Sequence, residues 1–135
     1  MRNSWIWTLP VMFGVLAAPA TVSAQLDGNA PFLCAIVQAL ECSPEGACER
    51  RGASEINLPQ FIKVDPKAKV IAAPEPGGRT APVNDMTTVD GKLVMHGGQQ
   101  GRGWSAVIVN ATGKMSVSIV DEEATFVVFG ACTAP

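Results

Sequence analysis

Residues 101–132 alternate apolar and polar side chains through three runs, and this alternation constrains the fold more than any other feature of the chain. Between residues 114 and 120 every second side chain is apolar until the final valine, the period of a strand with one buried face. Residues 110–113 and 121–124 are turn-forming and separate the runs. This stretch is therefore predicted to be a three-stranded antiparallel meander.

The part of the chain from residue 25 to residue 72 gives weaker strand signals. Residues 32–41 are apolar and are predicted to be a strand, although their spacing also fits a helix, because residues 43–46 form a strong turn that folds the chain back. Residues 56–65 are predicted to be a strand in which Pro59 marks an edge or a bulge. Residues 69–72 should form the strand that follows.

Turn signals organise the middle of the chain. Residues 73–79 are too rich in proline and glycine for regular structure and should be the longest loop. Residues 80–89 are predicted to be a weak strand that Asp90-Gly91 turns back into residues 92–96. Residues 97–103 contain four glycines and are interpreted as a mobile hairpin loop.

Eight or nine short strands joined by hairpin turns favour an all-β fold. We expect a small antiparallel up-and-down barrel of about eight strands, since closure removes exposed sheet edges, with a two-sheet sandwich as the alternative. The strands are too short for an outer-membrane barrel, which needs about 9 to 11 residues per strand.

Residues 1–24 have the pattern of a cleavable secretory signal: a basic start, an apolar run and a small-residue ending at Ala24. Cleavage would leave one domain, residues 25–135, and the residue directly after the cleavage site is Gln25, not the cysteine that a lipoprotein needs. We therefore expect a periplasmic or secreted protein without membrane insertion.

Four cysteines form an even set, which in an exported chain favours two disulfides. Three connectivities exist. We predict Cys42–Cys48 across the turn between them, and Cys34–Cys132 between the first and last strands.

Composition excludes some partners. Without Arg2 the chain holds nine basic and twelve acidic residues and no large basic cluster, so nucleic acid is a poor candidate. We expect a monomer that needs no cofactor, whose partner, if it has one, is another envelope protein.

No catalytic motif is found. His96 is the one histidine, so histidine-dependent triads are excluded, and it is interpreted as a surface residue at a strand end. The acidic residues 121–123 lack the spacing of a calcium loop, and no zinc spacing is present. We predict no catalytic and no metal-binding residues, and hence not an enzyme.

The candidate binding residues flank two loops. Arg102 lies between two glycines and Trp104 begins the next strand, so a guanidinium and an apolar platform would lie side by side. Gln99, Gln100 and Arg79 complete the predicted rim. The alternative is that Trp104 faces inward and fills the core.

The motifs Gly-Trp-Ser at 103–105, Thr-Gly-Lys-Met at 112–115 and Phe-Val-Val-Phe-Gly-Ala-Cys at 126–132 resemble small exported proteobacterial proteins of uncharacterised function. The resemblance implies compartment and fold and assigns no activity. We expect a non-catalytic binding or inhibitor module, because loops on rigid β scaffolds commonly carry recognition. The alternatives are a structural or stress-related envelope protein without a small ligand and, more remotely, an exported enzyme.

Overall fold

The computed structural model describes residues 26–134, so the predicted signal segment and the cleavage site at Gln25 lie outside the described residues. Within residues 26–134 the chain forms ten β-strands and one short 3-10 helix, Ser54–Ile56. The strands are β1 (Phe32–Cys42), β2 (Cys48–Arg51), β3 (Phe61–Asp65), β4 (Val70–Ala72), β5 (Thr80–Pro82), β6 (Asp85–Val89), β7 (Lys92–Gln99), β8 (Arg102–Val109), β9 (Lys114–Val120) and β10 (Thr125–Thr133).

All ten strands belong to one antiparallel sheet with the order β5-β4-β3-β1-β10-β9-β8-β7-β6, and β2 pairs with β1 beside this path. The sheet curls into a half-barrel. The predicted all-β, barrel-like fold is therefore confirmed, and the predicted meander is β8, β9 and β10. The first strand pairs with the last, β1 with β10, over nearly its whole length.

The edge strands β5 and β6 are consecutive in the chain and are separated only by Val83 and Asn84. The Val83 N–H donates to the carbonyl of Lys69 (2.9 Å), whereas the Asn84 N–H donates to the carbonyl of His96 (2.9 Å). Val83 is therefore hydrogen-bonded to the β4 side of the curled sheet and Asn84 to the β7 side. The backbone between β5 and β6 thus links the two edges of the sheet. The prediction of one strand over residues 80–89 was wrong at this junction, where the pairing partner changes.

β1 contains a β-bulge at Val37, where the register against β10 shifts between Ile36 and Gln38. Because of the extra residue, Ile36 and Ala39 both point into the half-barrel although they are three positions apart; they are 5% and 0% exposed. The bulge therefore places two inward-facing residues three positions apart, as a helix does. This explains why the apolar residues of β1 also fitted a helical spacing in the sequence.

Both disulfides join directly opposed residues of neighbouring strands. Cys34 faces Cys132 in the β1–β10 ladder, and Cys42 faces Cys48 in the β1–β2 hairpin. This is the expected pairing. The first bridge links the first and last strands of the chain, which are neighbours in the interior of the sheet, and spans a sequence separation of 98 residues, against 6 for the second.

The two ends of the half-barrel differ. At one end, the base, the lead-in residue Leu26 packs on a buried cluster that includes Leu93, Ile108 and Met115. Burial of each such aliphatic side chain contributes about 1.5–3 kcal/mol. A second, smaller cluster lies beneath the 3-10 helix; its members are Ile36, Ala39, Ala53, Ile56, Phe126 and Val128. The opposite end, the mouth, carries the 73–79 loop and the β7–β8 and β9–β10 turns.

Residues 56–60 do not form the predicted strand. Asn57 takes a left-handed conformation (φ 60°) and ends the 3-10 helix, and Leu58 N–H donates back to the carbonyl of Ala53 (2.8 Å). Pro59 has no N–H to give to a ladder. The strand therefore starts at Phe61.

Residues 97–103 are not a loop. β7 continues through Gln99 and β8 begins at Arg102, so only Gln100 and Gly101 form the turn. Their φ angles of 52° and 81° are those of a two-residue hairpin whose twist matches its strands. The prediction of a mobile loop was wrong. It rested on the glycine content of residues 97–103, whereas both strands continue up to the turn.

Candidate functional site

An open cavity of about 450 Å³, which we name the mouth cavity, lies between the β3–β4–β5 side of the half-barrel and the β7–β8 hairpin. Its lining has a half-buried or buried apolar floor and an exposed polar rim. The floor includes Ile62, Ile71, Trp104, Ile119 and Phe126, and the rim includes Asn57, Arg79, Thr80, Gln99, Gln100 and Arg102.

The floor follows from the strand register. Trp104 on β8 lies opposite Ile119 on β9, and Ile119 lies opposite Phe126 on β10. Opposed residues of an antiparallel sheet point to the same face, so these three side chains form one row on the concave side. The row supplies a continuous apolar surface across three strands.

Gly97 on β7 continues this row and makes space for it. Gly97 lies opposite Trp104, and a Cβ added at Gly97 would overlap the indole ring and the carbonyl oxygen of Pro82. The ring therefore lies across the glycine, with β5 close on the other side. Glycine is required here by close packing, since its φ is not in the left-handed region.

Trp104 contributes to both the core and the cavity. It is half-buried, packs against the cluster at the base, and lines the mouth cavity. Its Nε1 is buried without a hydrogen-bond partner among the described residues. The two predicted roles, core residue and rim platform, are therefore combined in one side chain.

Arg102 lies on the rim directly above the floor. Its Nε donates to Oδ2 of Asp121 (2.5 Å), and its guanidinium carbon is 5.8 Å from the centre of the Phe126 ring. The guanidinium is thus oriented by a carboxylate on one side and an aromatic face beneath. The hydrogen bond from Arg102 holds the pKa of Asp121 below its ordinary value of 3.8, so Asp121 is ionised at neutral pH.

Arg79 is on the facing side of the rim. One of its Nη2 hydrogens is donated to the carbonyl oxygen of Asn57 (2.5 Å), which ties the 73–79 loop to the end of the 3-10 helix. Gln99 lies opposite Arg102 in the β7–β8 ladder, and Gln100 is in the turn between them. Two guanidinium groups and the amide groups of Asn57, Gln99 and Gln100 therefore surround the mouth.

A second cavity of about 550 Å³, the acidic groove, adjoins the mouth cavity and shares four lining residues with it: Ile56, Asn57, Arg102 and Phe126. Arg51 is the other basic residue in its lining; Arg51 pairs with Glu41 and Glu49 at 2.8 Å each. The hydrogen bond that Arg51 donates to Glu41, together with the charge of Glu49, raises the pKa of Arg51 above its ordinary value. The carboxylates that line the groove are Glu41, Glu49, Glu55, Asp121 and Glu123.

The other residues considered from the sequence lie elsewhere. His96 is exposed within β7, and Asn110 lies in the β8–β9 turn. Met95 and Met115 are buried in the core and Met86 packs against it. No cluster of three or more potential metal-ligating side chains occurs within residues 26–134. In the same stretch no helix is long and apolar enough to cross a membrane.

All five residues predicted for a binding rim line the mouth cavity. The sequence predicted strands over residues 56–65 and 114–120 but no cavity above Ile62 and Ile119. The contribution of Asn57 was also missed, because its position depends on the 3-10 helix that replaced the predicted strand. No sequence signal marked that helix.

The fold and the cavity define a class: a small disulfide-bonded β half-barrel with an apolar cavity open at one end. Comparison of the chain with models of known protein families, with curated proteins and with solved structures finds no match. The function is therefore argued from the site alone.

Proposed function

We propose that this protein is a non-catalytic binding module, exported to the periplasm or secreted, that holds its ligand in the mouth cavity. The observation that carries the proposal is the convergence of an apolar floor with a polar rim built from several separate segments of the chain. Small-molecule sites typically have this composition and volumes of roughly 300–1,000 Å³, a range that includes this cavity.

The lining favours binding over catalysis. Among the described residues that line the mouth cavity there is no carboxylate, histidine or cysteine. Acid–base chemistry would need such groups within reach of a bound molecule, and the Thr80 hydroxyl would need one of them as a base to act as a nucleophile. Arginine and amide side chains instead orient a ligand.

Export is supported by the two disulfides, which persist in oxidising compartments. Intact-mass measurement of the protein recovered outside the cytoplasm tests this part. We expect a chain that begins at Gln25 with two disulfides and no lipid. Retention of Trp5 and Trp7, or an added lipid mass, would contradict it.

Binding is tested with N-phenyl-1-naphthylamine, a neutral apolar dye whose fluorescence rises in apolar surroundings. Ala81 lines the mouth cavity on β5, so Ala81→Phe should fill it and abolish the signal. Thr87→Phe adds the same ring on the exposed part of β6 and is the matched control. An equal signal from both variants, or none from the wild type, would refute the proposed function.

A second candidate, recognition of another envelope protein, is favoured by apolar side chains on the convex face. Phe61, Val37 and Phe129 are 47%, 76% and 41% exposed on the neighbouring strands β3, β1 and β10. Exposed apolar groups on adjacent strands are typical of protein contacts. Crosslinking in envelope extract should then yield an adduct that Phe129→Arg removes and Ala81→Phe retains. A structural protein without a small ligand would bind neither dye nor partner.

A further inference from the structure

We infer that the ligand of the mouth cavity is a single-chain amphiphile with an anionic end, of the class of aliphatic carboxylates. The inference rests on the proposed function and adds the charge and orientation of the ligand. Its basis is the distribution of charge around the cavity, which differs from that of the protein as a whole.

The charged residues that line the mouth cavity, among those the structure describes, are Arg79 and Arg102. The full chain carries a formal net charge of −2, so this local excess of positive charge runs against the average. Arg102 is paired with Asp121, whereas Arg79 donates to the neutral carbonyl of Asn57, so the rim keeps a net positive charge beside an apolar surface. Such a charge attracts an anion and repels a cation. The rim therefore selects the sign of the ligand's charge.

Arg102 retains donors for a ligand. Asp121 takes its Nε hydrogen, and the described residues accept no hydrogen bond from its Nη groups. The side chain is 45% exposed, so its Nη edge is accessible to a ligand. A planar guanidinium binds a carboxylate through two parallel hydrogen bonds. Arg79 likewise uses one Nη group on Asn57 and keeps its other donors.

The acidic groove sets the orientation. Its five carboxylates do not line the mouth cavity; the residues that line both cavities are Ile56, Asn57, Arg102 and Phe126. A ligand anion is repelled from that side and attracted to the side facing Arg79. The apolar body of the ligand then lies over the row of Trp104, Ile119 and Phe126, and its anionic end lies at the rim. The volume of about 450 Å³ suits one chain.

The test is displacement of N-phenyl-1-naphthylamine by decanoate, decan-1-ol and decylammonium below their aggregation concentrations at neutral pH. These probes share one apolar chain and differ in the end group. We expect decanoate to displace the dye at a concentration at least about tenfold lower than decanol, with decylammonium weakest, because only the anion gains charge-assisted hydrogen bonds. Raising the salt concentration from 50 to 500 mM should weaken the displacement of the dye by decanoate and leave its displacement by decanol unchanged.

In the double variant Arg79→Gln/Arg102→Gln, the concentrations at which decanoate and decanol displace the dye should lie within about twofold of each other. Arg50→Gln makes one such substitution at an exposed position on β2 outside both cavities and should leave the displacement by both probes unchanged. Equal displacement by decanoate and decanol in the wild type, or a salt-independent preference, would overturn the inference while leaving the proposed function intact. Failure of the dye to bind would instead refute the proposed function. The salt series needs only the wild type, so it decides the matter even if the double variant does not fold.

Discussion

Opening the Cys34–Cys132 bridge is expected to destabilise the protein far more than opening Cys42–Cys48. A disulfide restricts the unfolded chain in proportion to the logarithm of the loop it closes. Sequence separations of 98 and 6 residues correspond to about 4.7 and about 2.4 kcal/mol of unfolding free energy. The difference of about 2.3 kcal/mol corresponds to roughly 10 °C in Tm for a domain of this size.

Urea unfolding followed by far-UV circular dichroism measures both contributions. The variants are Cys34→Ala/Cys132→Ala and, as the matched control, Cys42→Ala/Cys48→Ala. Because Cys34 is 0% exposed, its replacement also removes core contacts. Reducing the control variant with a thiol opens only the long-range bridge and keeps both sulfur atoms, so it isolates the effect of the crosslink.

Equal losses from the two bridges, or a larger loss from Cys42–Cys48, would refute this reasoning. Such a result would mean that the unfolded chain already holds β1 and β10 together, because the entropy argument requires those strands to be far apart when unfolded. A loss seen in Cys34→Ala/Cys132→Ala but absent on reduction would assign the effect to core packing rather than to the crosslink.

Three further predictions concern the mouth. Gly97→Ala should cost about 1–3 kcal/mol and weaken dye binding, since the new methyl overlaps the Trp104 ring, whereas Gly103→Ala, with open space around it, should be nearly neutral by thermal unfolding. Trp104→Ala should cost less than the roughly 3–5 kcal/mol of a fully buried aromatic residue yet abolish dye binding. Because the pKa of Asp121 is lowered, its ion pair with Arg102 stabilises the protein above the unfolded pKa of about 4. The stability difference between wild type and Arg102→Gln should therefore vanish in acid titrations as pH falls through the folded pKa of Asp121. A difference that persists in acid would contradict this prediction.

Hairpins were the most predictable part of the fold because their signals are local. Asp90-Gly91 and the alternation from residue 101 onward fixed four strands, β7 to β10, to within a few residues. The errors occurred where tertiary contacts decide. The extra residue at Val37, the junction at Val83-Asn84 and the helix before Asn57 each depend on which strands become neighbours.

The candidate site shows the same division. Arg102 and Trp104 stood out in the sequence because the flanking glycines and the one tryptophan of residues 25–135 are conspicuous. The cavity between them and Arg79 arises because the 73–79 loop and the β7–β8 hairpin meet at one end of the sheet, which no local pattern encodes. The close packing of the Trp104 indole ring on Gly97 was not predictable either. A glycine that a loop requires and a glycine that close packing requires cannot be told apart in a sequence.

The pairing of the first strand with the last has a consequence for the order of assembly. The hairpins from β6 to β9 form from neighbouring residues and can assemble as they emerge, whereas β1 lacks its β10 partner until residues 125–133 have emerged. During that interval Cys42 has its partner six residues away, but Cys34 does not. A chain emerging amino-terminus first therefore passes through a stage in which the thiol of Cys34 is open to a wrong partner, and its correct oxidation is the step that disulfide isomerases would accelerate.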